Sequence, residues 1–429
     1  MTTVELTHTE QPVRKKLFGL PIDFLLIVIV GALVAFGLMM VYSTTFDWSY
    51  QSYGDPSLIF FRQVRWLGIG LVSMTLTAIM PYRWWRHLAV PVMGLTLALL
   101  VLVQLIGAVK FNAQRSLFNG SVQPSELATL ATIIYLAVWL DSKNDRLHDL
   151  SYGVVPFGII VGVIAGLILL QPDLSAAGML VMIAVVMFFI GGADIVQMGL
   201  VAAVGSVAGF IVLQVNATGR QRLAEYFAGI KDVTQASWQL QQAAIAFVNG
   251  GIFGRGLGES HQKFGFLPTP HTDAIFAVIG EELGLIGCIA VILLFAALAW
   301  RGFRIATGAR DQLGAVLASG IICWVILAAA LNIAVNLGLF PYSGHALPLI
   351  SYGGSSMVVT LTGMGILLSI SRREKRDEKI PRRTLANGPA WSWTQRLSDA
   401  IKPNAAPNLG RRNGRRSISR SVGRDDSEE

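Results

Sequence analysis

Ten runs of about 20 apolar residues, separated by short polar stretches, constrain this chain more than any other feature. They can be drawn over 21–42, 63–81, 87–107, 123–140, 152–170, 173–190, 194–215, 274–299, 311–336 and 347–371. At about 1.5 Å rise per residue each run crosses a hydrocarbon core of about 30 Å as a helix, and helices satisfy their own backbone where no water is present. The composition agrees: 53% of residues are apolar and 14% are charged, where a soluble domain carries about 25% charged residues. The expected fold class is therefore all-α, a polytopic membrane protein of about ten transmembrane helices. The first run is too long for a signal-peptide core and ends in Val41-Tyr42-Ser43 rather than a small-residue cleavage site, so it reads as an uncleaved span.

The net charge of +8 does not indicate nucleic acid. Residues 372–429 hold 15 basic and 8 acidic side chains, so the excess sits beside the last span and not across a folded face. With an even number of spans both termini share a side. A cytoplasmic N-terminus puts Arg14, Lys15, Lys16, Arg83, Arg86, Lys143, Arg146, Arg301, Arg304 and Arg310 on inner segments, against Arg62, Arg65, Lys110 and Arg115 on short outer loops. The positive-inside rule then places both termini in the cytoplasm. Three regions follow: a cytoplasmic segment 1–20, a membrane domain 21–371, and a basic tail 372–429 expected to be disordered and drawn to anionic lipid or a partner. Cys288 and Cys323 fall inside apolar runs and read as small buried residues.

One loop stands out. Residues 216–273, between spans seven and eight, are long for a protein whose other loops are short, and loops of that length are usually functional. Its second half, from Ala243, is apolar but too short to span, which suggests surface or re-entrant helices lining a cavity.

Polar and ionisable groups at membrane depth are costly and mark candidate function. Four places qualify: Gln123-Pro-Ser-Glu126, Gln171-Pro-Asp173, His271-Thr-Asp273 followed by Glu281-Glu282, and Leu347-Pro-Leu-Ile-Ser351-Tyr-Gly-Gly-Ser355-Ser356. Helix capping is an alternative for the carboxylates of the first three. The Gly254-Arg-Gly256-Leu-Gly258 stretch follows no strand, so a nucleotide loop is rejected. His271 and Asp273 are only two potential metal ligands, a weak signal. These residues imply an outward-facing polar site without separating an enzyme from a transporter.

At these residues the chain resembles the SEDS family of bacterial membrane proteins. The stretches that carry the likeness are QPSEL (123–127), QPDL (171–174), GGIFGRGLGESHQKFGFLPTPHTDAIFAVIGEELGLIG (250–287) and GLFPYSGHALPLISYGGSS (338–356). The likeness covers about residues 20–372 and is nearer the division-type branch than the elongation-type branch. It implies a peptidoglycan glycosyltransferase of the bacterial cytoplasmic membrane that polymerises lipid II into glycan strands during septal wall synthesis. A class B penicillin-binding transpeptidase and other division proteins would be its partners. The family's HTD aspartate corresponds to Asp273 and its QPSE glutamate to Glu126. Three departures are visible: Thr129 where members usually have Lys, Asn112-Ala-Gln-Arg-Ser-Leu117 without the usual Trp, and Ala274 where members have Phe.

Glycosyl transfer from a lipid pyrophosphate needs a base for the attacking hydroxyl and positive charge for the leaving group. Asp273 could be that base. Lys263, Arg220 and Arg255, or a divalent cation such as Mg or Mn, could supply the charge, and no organic cofactor is expected. Gln123, Ser125, Arg220, Lys263, His271, Ser351 and Ser355 are the expected substrate contacts, with Asp173, Glu281 and Glu282 as further intramembrane groups. A lipid II flippase and a catalytically reduced division scaffold are the competing readings; the first lacks a clear internal repeat and the second rests on Thr129.

Overall fold

The computed structural model describes residues 16–372 except 18–19, 22, 107, 111–112, 117–122, 144–146 and 148. The basic tail beyond Arg372, most of the 1–20 segment and part of the Asn112–Leu117 stretch lie outside these described residues. Twelve α-helices are present among them: α1 (Phe24–Tyr53), α2 (Leu58–Ile79), α3 (Trp85–Ile106), α4 (Pro124–Ser142), α5 (Val154–Leu169), α6 (Leu174–Ile190), α7 (Ile195–Val215), α8 (Ala217–Lys231), α9 (Trp238–Gly250), α10 (Ile275–Thr307), α11 (Gln312–Asn336) and α12 (Gly354–Ser371). Two short antiparallel strand pairs, Lys16–Leu17 with Leu20–Pro21 and Ala108–Lys110 with Ala113–Ser116, add to the helices. The ten apolar runs correspond to α1–α7 and α10–α12, while α8 and α9 belong to the long 216–273 segment. Among the described residues seven helical stretches are long and apolar enough to cross a membrane, and α5 and α6 are shorter apolar helices of 16 and 17 residues. In α2 the hydropathy is diluted by Arg62, Gln63 and Arg65 near its start.

Two helices are longer than the roughly 20 residues a single crossing needs. Helix α10 has 33 residues, a contour of about 50 Å, and α1 has 30. They run antiparallel and are tied at one end by Arg301, whose Nε donates to Asp23 Oδ2 at 2.8 Å, while Asp23 also caps α1 by accepting from Leu26 N at 3.3 Å. At the other end the later turns of α1 meet the first turns of α10, where Ser43 Oγ donates to Glu282 Oε1 at 2.6 Å. The apolar run of α1 ends at residue 42 because Ser43, Thr44 and Thr45 follow. The helix continues because Thr44 Oγ1 and Thr45 Oγ1 donate to the carbonyls of Met40 at 2.9 Å and Val41 at 2.7 Å, hiding their polarity within it.

At one end of the bundle three arginines tie neighbouring helices together. There Arg83 pairs with Asp311 at 3.4 Å, Arg86 with Asp141 at 2.6 Å, and Arg372 donates to the carbonyl of Ile79 at 2.9 Å. The opposite end carries α8, α9 and the glycine-rich segment that follows. That segment fits a break in α10, where Gly284 adopts φ 67° and ψ −163°. The freed backbone groups are satisfied across the break: Arg255 N and Gly256 N donate to the carbonyls of Glu281 and Glu282 at 3.0 Å, and Leu285 N donates to the carbonyl of Gly251 at 3.0 Å. The chains approach so closely that a Cβ on Gly254 would stand 2.2 Å from the Glu282 carbonyl oxygen. A bare backbone is therefore required there.

Candidate active site

Residues from α1, α2, α4, α6, α11, α12 and two connecting segments line one cavity of about 840 Å³ at the end opposite Arg83, Arg86 and Arg372. It holds Gln123, Ser125, Glu126, Asp173, Asp273 and Ser355 from the sequence expectations, joined by Trp48, Arg62, Arg65 and His345. Segments far apart in sequence thus converge on one space.

Asp273 lies just before α10, and the segments around it hold it from behind. Three successive carbonyls are taken in turn: His271 O by Tyr352 N at 2.8 Å, Thr272 O by Ser351 Oγ at 2.6 Å, and Asp273 O by the Nδ2 atoms of Asn332 and Asn336, each at 2.9 Å. The capping alternative for Asp273 does not hold. Ala274 occupies the cap position of α10 with no side-chain cap, and the Asp273 carboxylate instead accepts from Tyr342 Oη at 3.0 Å. Burial pushes its carboxyl above the usual carboxylate range, and the charge of Asp173 adds to that. Hydrogen bonds from Tyr342 and Thr272 and the charge of Arg222 oppose the rise.

Glu126 is in the first turn of α4 but is also not spent on capping. It accepts from Ser355 Oγ at 2.6 Å, and the same serine oxygen accepts from Gln123 N at 3.2 Å, so Ser355 joins the start of α4 to the start of α12. Asp173 does cap: it accepts from Ala176 N at 3.1 Å, leaving its second oxygen to Gln123 Nε2 at 3.2 Å. Thr129, at the position where Lys was expected from the resemblance, turns its hydroxyl back to the Ser125 carbonyl at 3.1 Å. Arg62 and Arg65, counted as loop charges in the sequence, lie in the first two turns of α2 and line the cavity. Arg62 packs over the Tyr53 ring at 5.1 Å, and among the described residues neither arginine pairs with a carboxylate. Their spacing of three on a helix was the available signal: two cations on one face at the edge of an apolar run.

Other expected contacts fall elsewhere. Lys263 Nζ is buried against Glu282 at 2.9 Å and also reaches Ser43 Oγ at 3.2 Å and Gly258 O at 2.7 Å, so its charge is consumed. Glu281 is likewise structural, accepting from Ser260 Oγ and from the backbone N–H groups of His261 and Gln262 at 3.2 Å. Ser351 is committed to backbone, accepting from Leu347 N at 2.8 Å while donating to Thr272 O. Arg220 is exposed on α8; the basic residue of that helix directed to the site is Arg222, two positions on and so on the opposite face. Arg255 bonds His261 Nδ1 at 2.7 Å. His271 stacks on Trp48 with centroids 4.7 Å apart, and burial lowers its pKa to about 4, so it is a neutral support for the cavity wall. Cys288 and Cys323 are free and buried. No group of three or more His, Cys, Asp or Glu side chains placed to hold a metal occurs among the described residues.

Comparison with known proteins places this geometry. Residues 23–376 match the FtsW/RodA/SpoVE family model, described as cell cycle protein. A Trichlorobacter lovleyi protein named "Probable peptidoglycan glycosyltransferase FtsW" is 40% identical over 356 residues, 81% of this chain and 93% of that one. Stage V sporulation protein E of Bacillus subtilis is 38% identical, covering 82% and 97%. Among solved structures, a chain of a peptidoglycan synthase complex described as coordinating polymerization and crosslinking aligns with a TM-score of 0.66 at 27% identity, covering 82% of this chain and 97% of that chain. Thermus thermophilus rod shape determining protein RodA aligns with a TM-score of 0.59 at 26% identity, covering 82% and 96%.

Proposed function

The chain belongs to the FtsW/RodA/SpoVE family of cell cycle proteins, and we propose that it is a peptidoglycan glycosyltransferase that polymerises lipid II in the cytoplasmic membrane beside a class B penicillin-binding transpeptidase. The observation that carries this reading is the single cavity in which Asp273 and Glu126 stand with Arg62 and Arg65. Asp273 removes the proton from the attacking sugar hydroxyl. Its raised pKa strengthens it as a base, and the clamp on the carbonyls of residues 271–273 fixes where it stands. Arg62 and Arg65 offset the pyrophosphate as it leaves, the task that the sequence alone suggested for Lys263, Arg220 and Arg255. Ser355 holds Glu126 and the start of α4 in register with α12, so Gln123 and Ser125 face the same substrate. A divalent cation remains a proposal. Among the described residues no group of three or more His, Cys, Asp or Glu side chains is placed to hold one, so no step is assigned to it.

Both termini are proposed to be cytoplasmic. The arginines of the far end support this under the positive-inside rule, which puts the cavity on the extracytoplasmic side. A cysteine at Ser237 should then react with an impermeant thiol reagent in intact cells, and protection there would reverse the orientation. The activity is tested by incubating the purified protein and its transpeptidase partner with lipid II in detergent. Glycan polymer is expected. Its absence, with lipid II crossing vesicles that contain the protein, would favour a flippase.

A further inference from the structure

Behind Asp273, on the side away from the substrate cavity, the hydroxyl of Tyr342 holds one carboxylate oxygen at 3.0 Å. Tyr342 is itself held from α8. The Arg222 guanidinium lies over its ring at 4.9 Å, and Nη1 donates to its carbonyl at 3.4 Å. One turn further along the same face of α8, Tyr226 Oη donates to the Leu339 carbonyl at 2.8 Å. These contacts surround a second, small cavity of about 20 Å³, lined by Arg222, Glu225, Tyr226, Asn336 and Tyr342 among others. It has room for about one water. Asn336 Oδ1, buried without a hydrogen-bond partner among the described residues, is an acceptor for one.

From this geometry we infer that Tyr342, braced by Arg222, is the positioning residue of the catalytic carboxylate and sets the acidity at which it becomes a base. The inference rests on the reading of Asp273 as base. A donor on one oxygen restricts carboxylate rotation and favours the ionised form. Arg222 acts twice, by its charge and by fixing the ring that carries the donor. The distance from Arg222 to Tyr342 in sequence and the commitment of Tyr226 to Leu339 mean that α8, although part of the long outer loop, is built into the acid–base site.

Other charged or titratable groups also bear on Asp273: Asp173 at the start of α6, Glu126 on α4, Arg62 and Arg65 on α2, and His271, His345 and Tyr352 on the flanking segments. All are retained in the variants that test the inference, so a change reports Tyr342 and Arg222.

The test is the pH dependence of lipid II polymerisation by the purified full chain with its transpeptidase, for the parent, Tyr342→Phe, Arg222→Gln and Asp273→Asn. Phenylalanine keeps the ring under Arg222 and removes only the hydroxyl. The acid limb should move to higher pH by roughly one unit in Tyr342→Phe, as expected for loss of one charge-assisted hydrogen bond. A smaller shift in the same direction is expected for Arg222→Gln. An unchanged acid limb in both, with Asp273→Asn inactive, would overturn the inference and leave the base assignment standing. Parent-like polymerisation by Asp273→Asn would overturn the base assignment, and this inference with it. If Tyr342→Phe does not fold, the Arg222→Gln profile decides by the same criterion.

Discussion

Two groups of carboxylates occupy the same end of this molecule and are treated in opposite ways. Glu281 and Glu282, at the top of α10, are fully buried, and every charge is answered: Lys263 and Ser43 for one, Ser260 and two backbone N–H groups for the other. Asp273 and Glu126 line an open cavity and receive hydroxyl donors, with Arg62 and Arg65 left without carboxylate partners of their own among the described residues. In sequence both groups are acidic residues in or beside an apolar run. What separates architecture from chemistry is how many partners the fold supplies. A carboxylate saturated by its own protein has no valence left for substrate, whereas one that receives hydroxyl donors while lining a cavity is oriented and still available.

On that contrast, breaking the buried group should damage the fold most. Lys263→Ala leaves Glu282 as an unpaired buried charge, and removing one partner of such a pair costs about 3–5 kcal/mol. Thermal unfolding in detergent should show a large drop in Tm, and the double variant Lys263→Met, Glu282→Met should recover much of it. A Tm unchanged in Lys263→Ala would mean the pair is not structural.

The cavity group should behave in reverse, with activity lost and fold kept. Replacing Arg62 and Arg65 together by Gln removes charge-assisted contacts to the leaving group, and polymerisation should fall by roughly ten- to a hundredfold with little change in Tm. Full activity in that variant would take the arginines out of the site.

A smaller effect is expected at Asp173, which belongs partly to each group because it both caps α6 and faces the cavity. Asn caps about as well as Asp, so Asp173→Asn should cost under about 1 kcal/mol. It also removes a negative charge that raises the Asp273 pKa. A base works only when ionised, so the parent acid limb lies above the ordinary carboxylate range, and Asp173→Asn should move it to lower pH. This is opposite in sign to the shift expected for Tyr342→Phe. A shift upward in Asp173→Asn would contradict the electrostatic account.

Much of the fold and of the site is legible in the amino-acid sequence alone. The apolar runs locate the bundle, and polar residues at membrane depth locate Gln123, Ser125, Glu126, Asp173, Asp273 and Ser355, all of which meet in the cavity. Glycine and apolar residues after Ala243 signal an inserted segment. What the sequence hides is of two physical kinds. Helix ends depend on local hydrogen bonds that hydropathy does not register: α2 starts at Leu58 rather than residue 63, which carries Arg62 from a loop into the site wall. Partner supply depends on distant contacts: nothing near Lys263 in sequence reveals Ser43, and nothing near Asp273 reveals Tyr342 or Arg222. A cation in a loop therefore looks free until its tertiary neighbours are known.

The most direct test of the central claim is polymerisation of lipid II by Asp273→Asn, measured on protein whose Tm matches the parent. Asn keeps the shape of the side chain and can still accept from Tyr342, so the fold should survive, while loss of a positioned base should lower the rate by about 10²–10⁴. Folded Asp273→Asn polymerising at the parent rate would contradict the account.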